Sequence, residues 1–409
     1  MKRAPLNIIL LVAVVDLIGF GLIIPLQGVY AERLGASGLT FGALVGSYAA
    51  AAMLFGPLLG KWSDRIGRRR ILLVSIAGSV LSHSLLGVAD LVHSLPLLFL
   101  ARIGDGITGA NIATAQSYIA DITEAKDRAR GMGLFGAAFG VGFVVGPAIG
   151  AALAWMGRSV SGETGTSWPA FGAAIISLIA LLLVWRYLPE SRDPGKVHAP
   201  RATFFGVSGL RAIWRAPRLR ELFVIVFSGT FAMVLMELPI VYMSVKLLEL
   251  SESGIGLLFV YLGSMIVIVQ GGLVARLVRR FTEPTLVSAG PFISACGFLL
   301  LSAVPFAPSP KIAWCLLIIG CAPVALGRGL TDPTLNTLVS RLADTNRQGF
   351  TLGLSHSLQQ LARAIGPLAA GLLFDVAPQW PFWVGAILLT AIGTFATAIS
   401  TRQRSALEA

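Results

Sequence analysis

The sequence predicts an all-α membrane protein: twelve transmembrane helices in two pseudo-symmetric six-helix bundles. Three observations predict it. Of the 409 residues, 55% are hydrophobic and only 13% charged, with a mean hydropathy of +0.79, whereas a soluble domain carries roughly 25% charged residues. The apolar residues gather into twelve runs of spanning length. The first half of the chain recurs in the second.

Cut where polar residues, Gly and Pro cluster, the runs lie at 6–30, 40–62, 71–91, 95–118, 131–155 and 167–188, then at 219–245, 253–276, 284–305, 310–338, 350–374 and 379–400. Each reaches the ~20 residues that carry a helix across a bilayer core. They lack the polar face, repeating every 3.6 residues, of helices that cover the sheet of an α/β enzyme. The first run follows Lys2 and Arg3, but it exceeds the ~7–15-residue core of a signal peptide and no small-residue cleavage site follows, so it stays as span 1. Cys296, Cys315 and Cys321 fall inside predicted spans, where a thiol acts as a small apolar packer and implies neither disulfide nor metal.

The long polar stretch at 189–217 separates an N-terminal bundle, 1–188, from a C-terminal one, 218–409. Its basic residues stand beside Phe204, Phe205 and Trp214, which fits either an amphipathic helix on the inner leaflet or a loose tether. The two bundles repeat. IGDGITGANIATAQSYIAD at 103–121 aligns with LGRGLTDPTLNTLVSRLAD at 326–344, sharing Gly104/Gly327, Gly106/Gly329, Thr108/Thr331, Thr114/Thr337, Ser117/Ser340 and Asp121/Asp344. Gly133 and Gly146-Pro147 likewise align with Gly353 and Gly366-Pro367. Parallel repeats of this kind build transporters whose substrate site lies between them near the bilayer midplane.

The net charge of +12 raises the question of a nucleic-acid partner, and its distribution answers it. With the N-terminus inside, 25 of the 32 Lys and Arg fall at cytoplasmic ends, against Arg33, Arg158, Lys246 and Lys311 outside and Arg102, Arg328 and Arg363 within spans. The positive-inside bias therefore places both termini in the cytoplasm, and the expected location is the bacterial inner (plasma) membrane, as a multi-pass protein. The partners expected are the lipid bilayer, a small-molecule substrate and protons, with no nucleic acid and a monomer as the functional unit.

Between spans 2 and 3 stands GKWSDRIGRRR, with Gly60, Asp64, Arg65, Gly67 and Arg68 in ordered spacing. It resembles the loop signature of the major facilitator superfamily. Asp64 and Arg68 are four apart and can pair with each other and with Asp121 at the inner end of span 4, and the resemblance implies a cytoplasmic gate held by that charge latch. The matching place in the second half, GLVARLVRR from Gly272, puts Arg276 where Asp64 stood, so the latch should be asymmetric. In span 5, Gly133, Gly142, Gly146, Pro147 and Gly150 resemble the signature that marks exporters within the superfamily; small residues there permit close helix contact and Pro147 a bend. Span 1, with Asp16, Gly19, Gly21, Ile23 and Pro25, and the run ARIGDGITGANIATAQSYIADITEAKDRARG together resemble the tetracycline-resistance exporters of the drug/proton antiporter group. The chain departs from them at Ser82, where they carry an acid, and in span 9, which has none between Thr285 and Pro305. Tetracycline is therefore not the expected cargo.

An ionised group at the bilayer centre costs at least ~2.5–3.5 kcal/mol on insertion scales, so each intramembrane charge needs a partner or a task. Arg102 and Asp105 are three apart, and Arg328 and Asp332 four apart; each set forms either a local neutralising pair or a carboxylate that exchanges protons beside a cation. Asp16 and Glu237 have no cation one turn away on their own helix, and the neutral carboxyl is the cheaper form in apolar surroundings, which makes them the proton-carrier candidates. Glu237 precedes Pro239 and could instead cap a broken helix. Arg363 either binds an anionic cargo or pairs across the bundle. Asn111 and Gln116 add polar cavity positions, while His83 and His356 fit packing better than a proton relay.

No nucleotide loop, metal-ligand cluster or nucleophile elbow is present, so no enzyme and no cofactor is expected. Transport then draws on an ion gradient, worth ~2.3 kcal/mol per charge per 100 mV. The expectation is a proton-coupled exporter of small amphipathic drugs or lipophilic metabolites working by alternating access. An uptake symporter or facilitator for a metabolite such as a sugar, and a non-transporting membrane receptor, are the alternatives.

Overall fold

The computed structural model describes residues 3–23, 26–109, 111–123, 125–191, 217–269, 273–277, 280–342 and 348–408, and these contain helices, turns and no strand. In chain order the first half holds α1 (Arg3–Ile23), α2 (Leu26–Arg33), α3 (Gly38–Ile66), α4 (Arg68–Leu91), α5 (Leu95–Thr108), α6 (Asn111–Ile122), α7 (Ala125–Ser161) and α8 (Trp168–Tyr187). The second holds α9 (Pro217–Lys246), α10 (Glu252–Ile268), α11 (Val274–Leu277), α12 (Glu283–Ser302), α13 (Pro310–Leu342), α14 (Gln348–Val376) and α15 (Trp380–Glu408). Pro25, Gly272, Asp344 and most of the predicted linker, 192–216, lie outside the described residues.

The described residues of the twelve apolar runs fall mainly on helix, as lipid requires of a backbone that must satisfy its own hydrogen bonds. Among the described residues nine helices are long and apolar enough to cross a bilayer. Of the other three runs, that at 253–276 is described in its first part as the apolar helix α10, and α14 carries Gln359, Gln360 and Arg363 at its centre. The run at 95–118 is broken: α5 stops at Thr108, capped at Gly109, and α6 begins at Asn111. The break at Gly109 was not foreseen. Pro239, where one was considered, lies inside the continuous α9, and Pro147 inside the continuous α7.

The helices gather into two compact units, described separately. Unit 1 is formed by the described residues of Met1–Ala36, Ser47–Ala199 and Leu250–Gly263; unit 2 by those of Ser37–Gly46, Pro200–Glu249 and Ser264–Ala409. The core of unit 1 joins Leu6, Ile9 and Val12 of α1 to Ile76, Tyr118, Phe135 and Val184. That of unit 2 joins Phe223 and Val226 of α9 to Val287, Leu335, Val339 and Ile392. Large apolar side chains also face outward, Leu81, Val160 and Ile387 among them, as expected of surfaces solvated by acyl chains rather than water. In unit 2 the Asp375 carboxylate accepts hydrogen bonds from the first amides of α3, Gly38 N at 2.7 Å and Leu39 N at 2.8 Å. It thereby satisfies donors that a helix start leaves unpaired.

Within unit 1, α7 lies directly on α1. A Cβ added at Gly142 would stand 2.6 Å from Leu17 Cβ, one at Gly146 2.7 Å from the Ile18 carbonyl oxygen, and one at Gly150 3.2 Å from the Leu22 carbonyl oxygen. The predicted glycine stripe is thus a seat for the backbone of span 1 just beyond Asp16. Gly133 is not part of it: it is exposed and nothing lies within 4 Å of its would-be Cβ, because the nine residues between it and Gly142 turn it about 180° onto the opposite face of α7. The same substitution should therefore separate the two glycines. Gly146→Ala, which forces backbone apart, should lower thermal stability in detergent by roughly 1–3 kcal/mol, while Gly133→Ala should leave it unchanged or slightly raised by the better helix former.

Candidate functional site

Three polar clusters hold the residues singled out above. The first is the loop between α3 and α4. Gly67 adopts φ +111°, a left-handed conformation open to glycine, and turns the chain so that Arg68 begins α4. The Arg68 side chain, 3% exposed, reaches Asp64 through Nη2 at 2.6 Å and Asp121 through Nε at 3.0 Å, and donates to Ser63 Oγ at 3.2 Å. The predicted latch trio is thus assembled inside unit 1. Arg65 is exposed and takes no part, and Gly60, expected at a close helix approach, has nothing within 4 Å; its side of α3 faces open space rather than a neighbouring backbone.

A fourth member was missed. Glu190, just past α8, accepts from Arg68 N at 2.8 Å and Arg69 N at 3.2 Å. Its carboxylate stands where a Gly67 side chain would be. Because an N-cap glycine has no side chain to offer the first amides of α4, an acid must come from elsewhere. That absence was the available signal.

The second cluster lies within unit 1. Asp16, on α1, accepts from Asn111 Nδ2 at 3.1 Å on both carboxylate oxygens. The same Nδ2 reaches Ser79 Oγ at 3.3 Å, and Ser79 donates to Asp105 Oδ1 at 3.3 Å. Arg102 closes the chain, donating from Nη1 to Asp105 Oδ2 at 3.2 Å with its guanidinium 4.4 Å above the Tyr48 ring, a cation–π contact that further shelters the charge. Four predicted residues, Asp16, Arg102, Asp105 and Asn111, are brought together; Gln116 is exposed and apart from them. Ser79 and Tyr48 were not foreseen, since serine and tyrosine in an apolar run carry no charge to mark them. His83 is buried with Nδ1 3.2 Å from Ser177 Oγ, whereas His356 is exposed.

The third cluster lies in unit 2. Glu237 does have cationic partners, from two other helices: Arg328 Nη1 at 2.6 Å and Arg363 Nη1 at 3.5 Å. Arg328 also donates from Nε to Asp332 at 3.2 Å. The pairing was hidden because 91 and 126 residues separate the partners. Arg328, Asp332 and Arg363 line one recess with Thr331, Asn336 and Gln359, walled by Val226, Met233 and Leu389. Of the three cysteines, Cys321 is buried and Cys296 and Cys315 are exposed, all free. Among the described residues no group of three His, Cys, Asp or Glu could hold a metal ion.

An internal repeat of helical units with charged clusters set within apolar spans is the build of a secondary transporter. The family model of the Major Facilitator Superfamily matches residues 9–367. The chain belongs to that superfamily, and is a transporter rather than an enzyme. It is 31% identical to the tetracycline resistance protein, class D, of Salmonella ordonez over 382 residues, 92% of this chain and 91% of that one. It is 28% identical to multidrug resistance protein 1 of Bacillus subtilis (strain 168) over 395 residues, 96% and 95% of the two chains. Among solved structures the D-xylose-proton symporter matches with a TM-score of 0.73 at 18% identity, over 95% of this chain and 97% of that one, a likeness of fold alone.

Removing the missed cap tests the loop geometry. Glu190→Ala should cost about 0.5–2 kcal/mol, the usual worth of a helix cap, read as a lower unfolding temperature in detergent. Gly133→Ala serves as the neutral control.

Proposed function

We propose that this transporter is a proton-coupled exporter of small amphipathic drugs or lipophilic metabolites, working by alternating access in the bacterial inner membrane as a monomer with both termini in the cytoplasm. One observation carries the reading. Of the described carboxylates inside the predicted spans, Asp16 and Glu221 have no described cation within ion-pair distance, whereas Asp90, Asp105, Glu237 and Asp332 each have an arginine; Glu221 stands near the start of α9 next to Arg220, and Asp16 in the middle of the apolar run of α1. A carboxylate without a counter-charge in an apolar setting is the one that gains most from taking a proton or a cargo. Asp16 is therefore the proton carrier, and Glu237 is reassigned to a standing ion cluster that lines the cargo recess. The relatives that resist tetracyclines and other drugs support export, and so does the glycine stripe of α7. Ser82 and the acid-free span 9 point to a cargo other than tetracycline.

In everted membrane vesicles with ethidium as the probe, Asp16→Asn should abolish accumulation driven by an acidic lumen while keeping gradient-free exchange, because asparagine mimics the permanently protonated carboxyl. Uphill accumulation with wild-type pH dependence would remove Asp16 from the role. Flux out of the lumen, rather than into it, would favour the uptake symporter.

The latch has its own test. Asp64→Asn weakens the hold on Arg68 without touching either polar cluster in the spans. It should abolish transport, with expression and membrane insertion close to wild type in the same vesicles; efflux at the wild-type rate would show the trio to be structural.

A further inference from the structure

Asn111 owes its position to the break in span 4. The α5 helix ends at the capping Gly109 and α6 starts at Asn111, whose amide, on the first residue of α6, reaches Asp16 of α1. The amide is used unevenly. Its nitrogen reaches both oxygens of Asp16 and the hydroxyl of Ser79, while its oxygen, Oδ1, is buried and accepts nothing. A buried acceptor left empty is unfavourable, and here it belongs to the group that serves Asp16.

That arrangement suits an ionised Asp16, which can only accept. A protonated Asp16 is a donor and needs an acceptor. Turning the Asn111 amide half a revolution about χ2 supplies one: Oδ1 then takes the place of Nδ2, accepting the Asp16 hydroxyl, and Ser79, which loses Nδ2 as a donor, can turn its own hydroxyl from Asp105 to Oδ1. We infer that Asn111 is the positioning residue of the proton-exchange step, its side-chain amide turning over as Asp16 gains or loses its proton and passing that change to Ser79 and Asp105. The inference rests on the reading of Asp16 as the proton carrier. No bond other than the carboxyl O–H is made or broken, and the proton arrives from and leaves to water.

The charged groups around Asp16 are few. Asp105 faces it across Ser79, with Arg102 behind, and His83 of α4 lies beyond, bonded to Ser177. The helices packed on α1 are α2, α6, α7 and α8. Their ionisable residues stand near the helix ends: Tyr30, Glu32 and Arg33; Tyr118 and Asp121; Lys126 to Arg130 and Arg158; Arg186 and Tyr187. Asn111 is therefore the group through which the protonation of Asp16 is felt.

The test is an infrared titration of the full-length protein in lipid nanodiscs, following the carboxylic-acid band that is lost in Asp16→Asn. In Asn111→Leu the donor to the charged form is gone, and the midpoint of that band should move to higher pH by about one unit or more. In the wild type, the side-chain amide band lost in Asn111→Leu should change over the same pH range as the acid band. Asn111→Ser, whose hydroxyl is too short to replace the amide, repeats the measurement if the leucine variant does not fold. A midpoint equal to wild type in either folded variant, or an amide band indifferent to pH, overturns the inference and leaves Asp16 in its role. If Asp16→Asn loses no acid band, the carrier reading falls and this inference with it.

Discussion

Hydrocarbon offers an ionised side chain nothing to bond with, and the arrangement of polar residues in this chain follows from that one constraint. An unpartnered charge costs at least ~2.5–3.5 kcal/mol at the bilayer centre. Arg102 accordingly lies 3% exposed against Asp105 and Tyr48, and Arg328 divides its donors between Glu237 and Asp332. Asp16 escapes the constraint by a different route, with an amide as partner in place of a cation. An amide holds a carboxylate without fixing its charge. That difference is what the proposed assignment of Asp16 as the proton carrier rests on.

How much of this was legible in the sequence depended on range. Twelve helices could be read because each apolar run announces itself, and the Arg68–Asp64 contact because four residues place both side chains on one helix face. Asp121 could be read through the family likeness of the loop. Contacts across helices could not: nothing local joins Asn111 to Asp16, 95 residues away, or Arg328 to Glu237. Proline misled the search for breaks, because a membrane helix absorbs it with little change. The actual break fell at Gly109, the end of the spacing Gly104, Gly106, Gly109, where the lack of side chains leaves the helix least supported.

The glycine stripe of α7 sets what Asp16 can feel. Gly142, Gly146 and Gly150 bring the α7 backbone against Leu17 to Leu22 of α1, so the turns that follow Asp16 have little freedom to shift independently of α7. Gly21 meets the carbonyl oxygen of Gly142 in the same seam, at 2.6 Å from its would-be Cβ. A rigid support behind the carboxylate leaves adjustment to the other side of it, where Asn111 stands at the free end of a short helix. On the proposed reading, protonation of Asp16 acts on the amide more readily than on α1.

The internal repeat makes the same division visible between the units. Aligned on Gly106/Gly329, Asp105 of span 4 corresponds to Arg328 of span 10, and Gly109 to Asp332. One half thus places an acid where the other places a base, and a glycine where the other places an acid followed by Pro333. Span 4 breaks there. Span 10 runs on as α13 from Pro310 to Leu342, and Thr331, Thr334 and Thr337 donate to the carbonyls of Gly327, Leu330 and Pro333 around its proline. A continuous helix with its charges bridged by arginine is a fixed platform, suited to lining a recess of constant shape. A broken helix that presents an amide to a lone carboxylate has a group free to turn. The duplicated span has diverged at these positions, which fits the proposed reading that proton exchange belongs to unit 1 while unit 2 keeps its ion cluster intact.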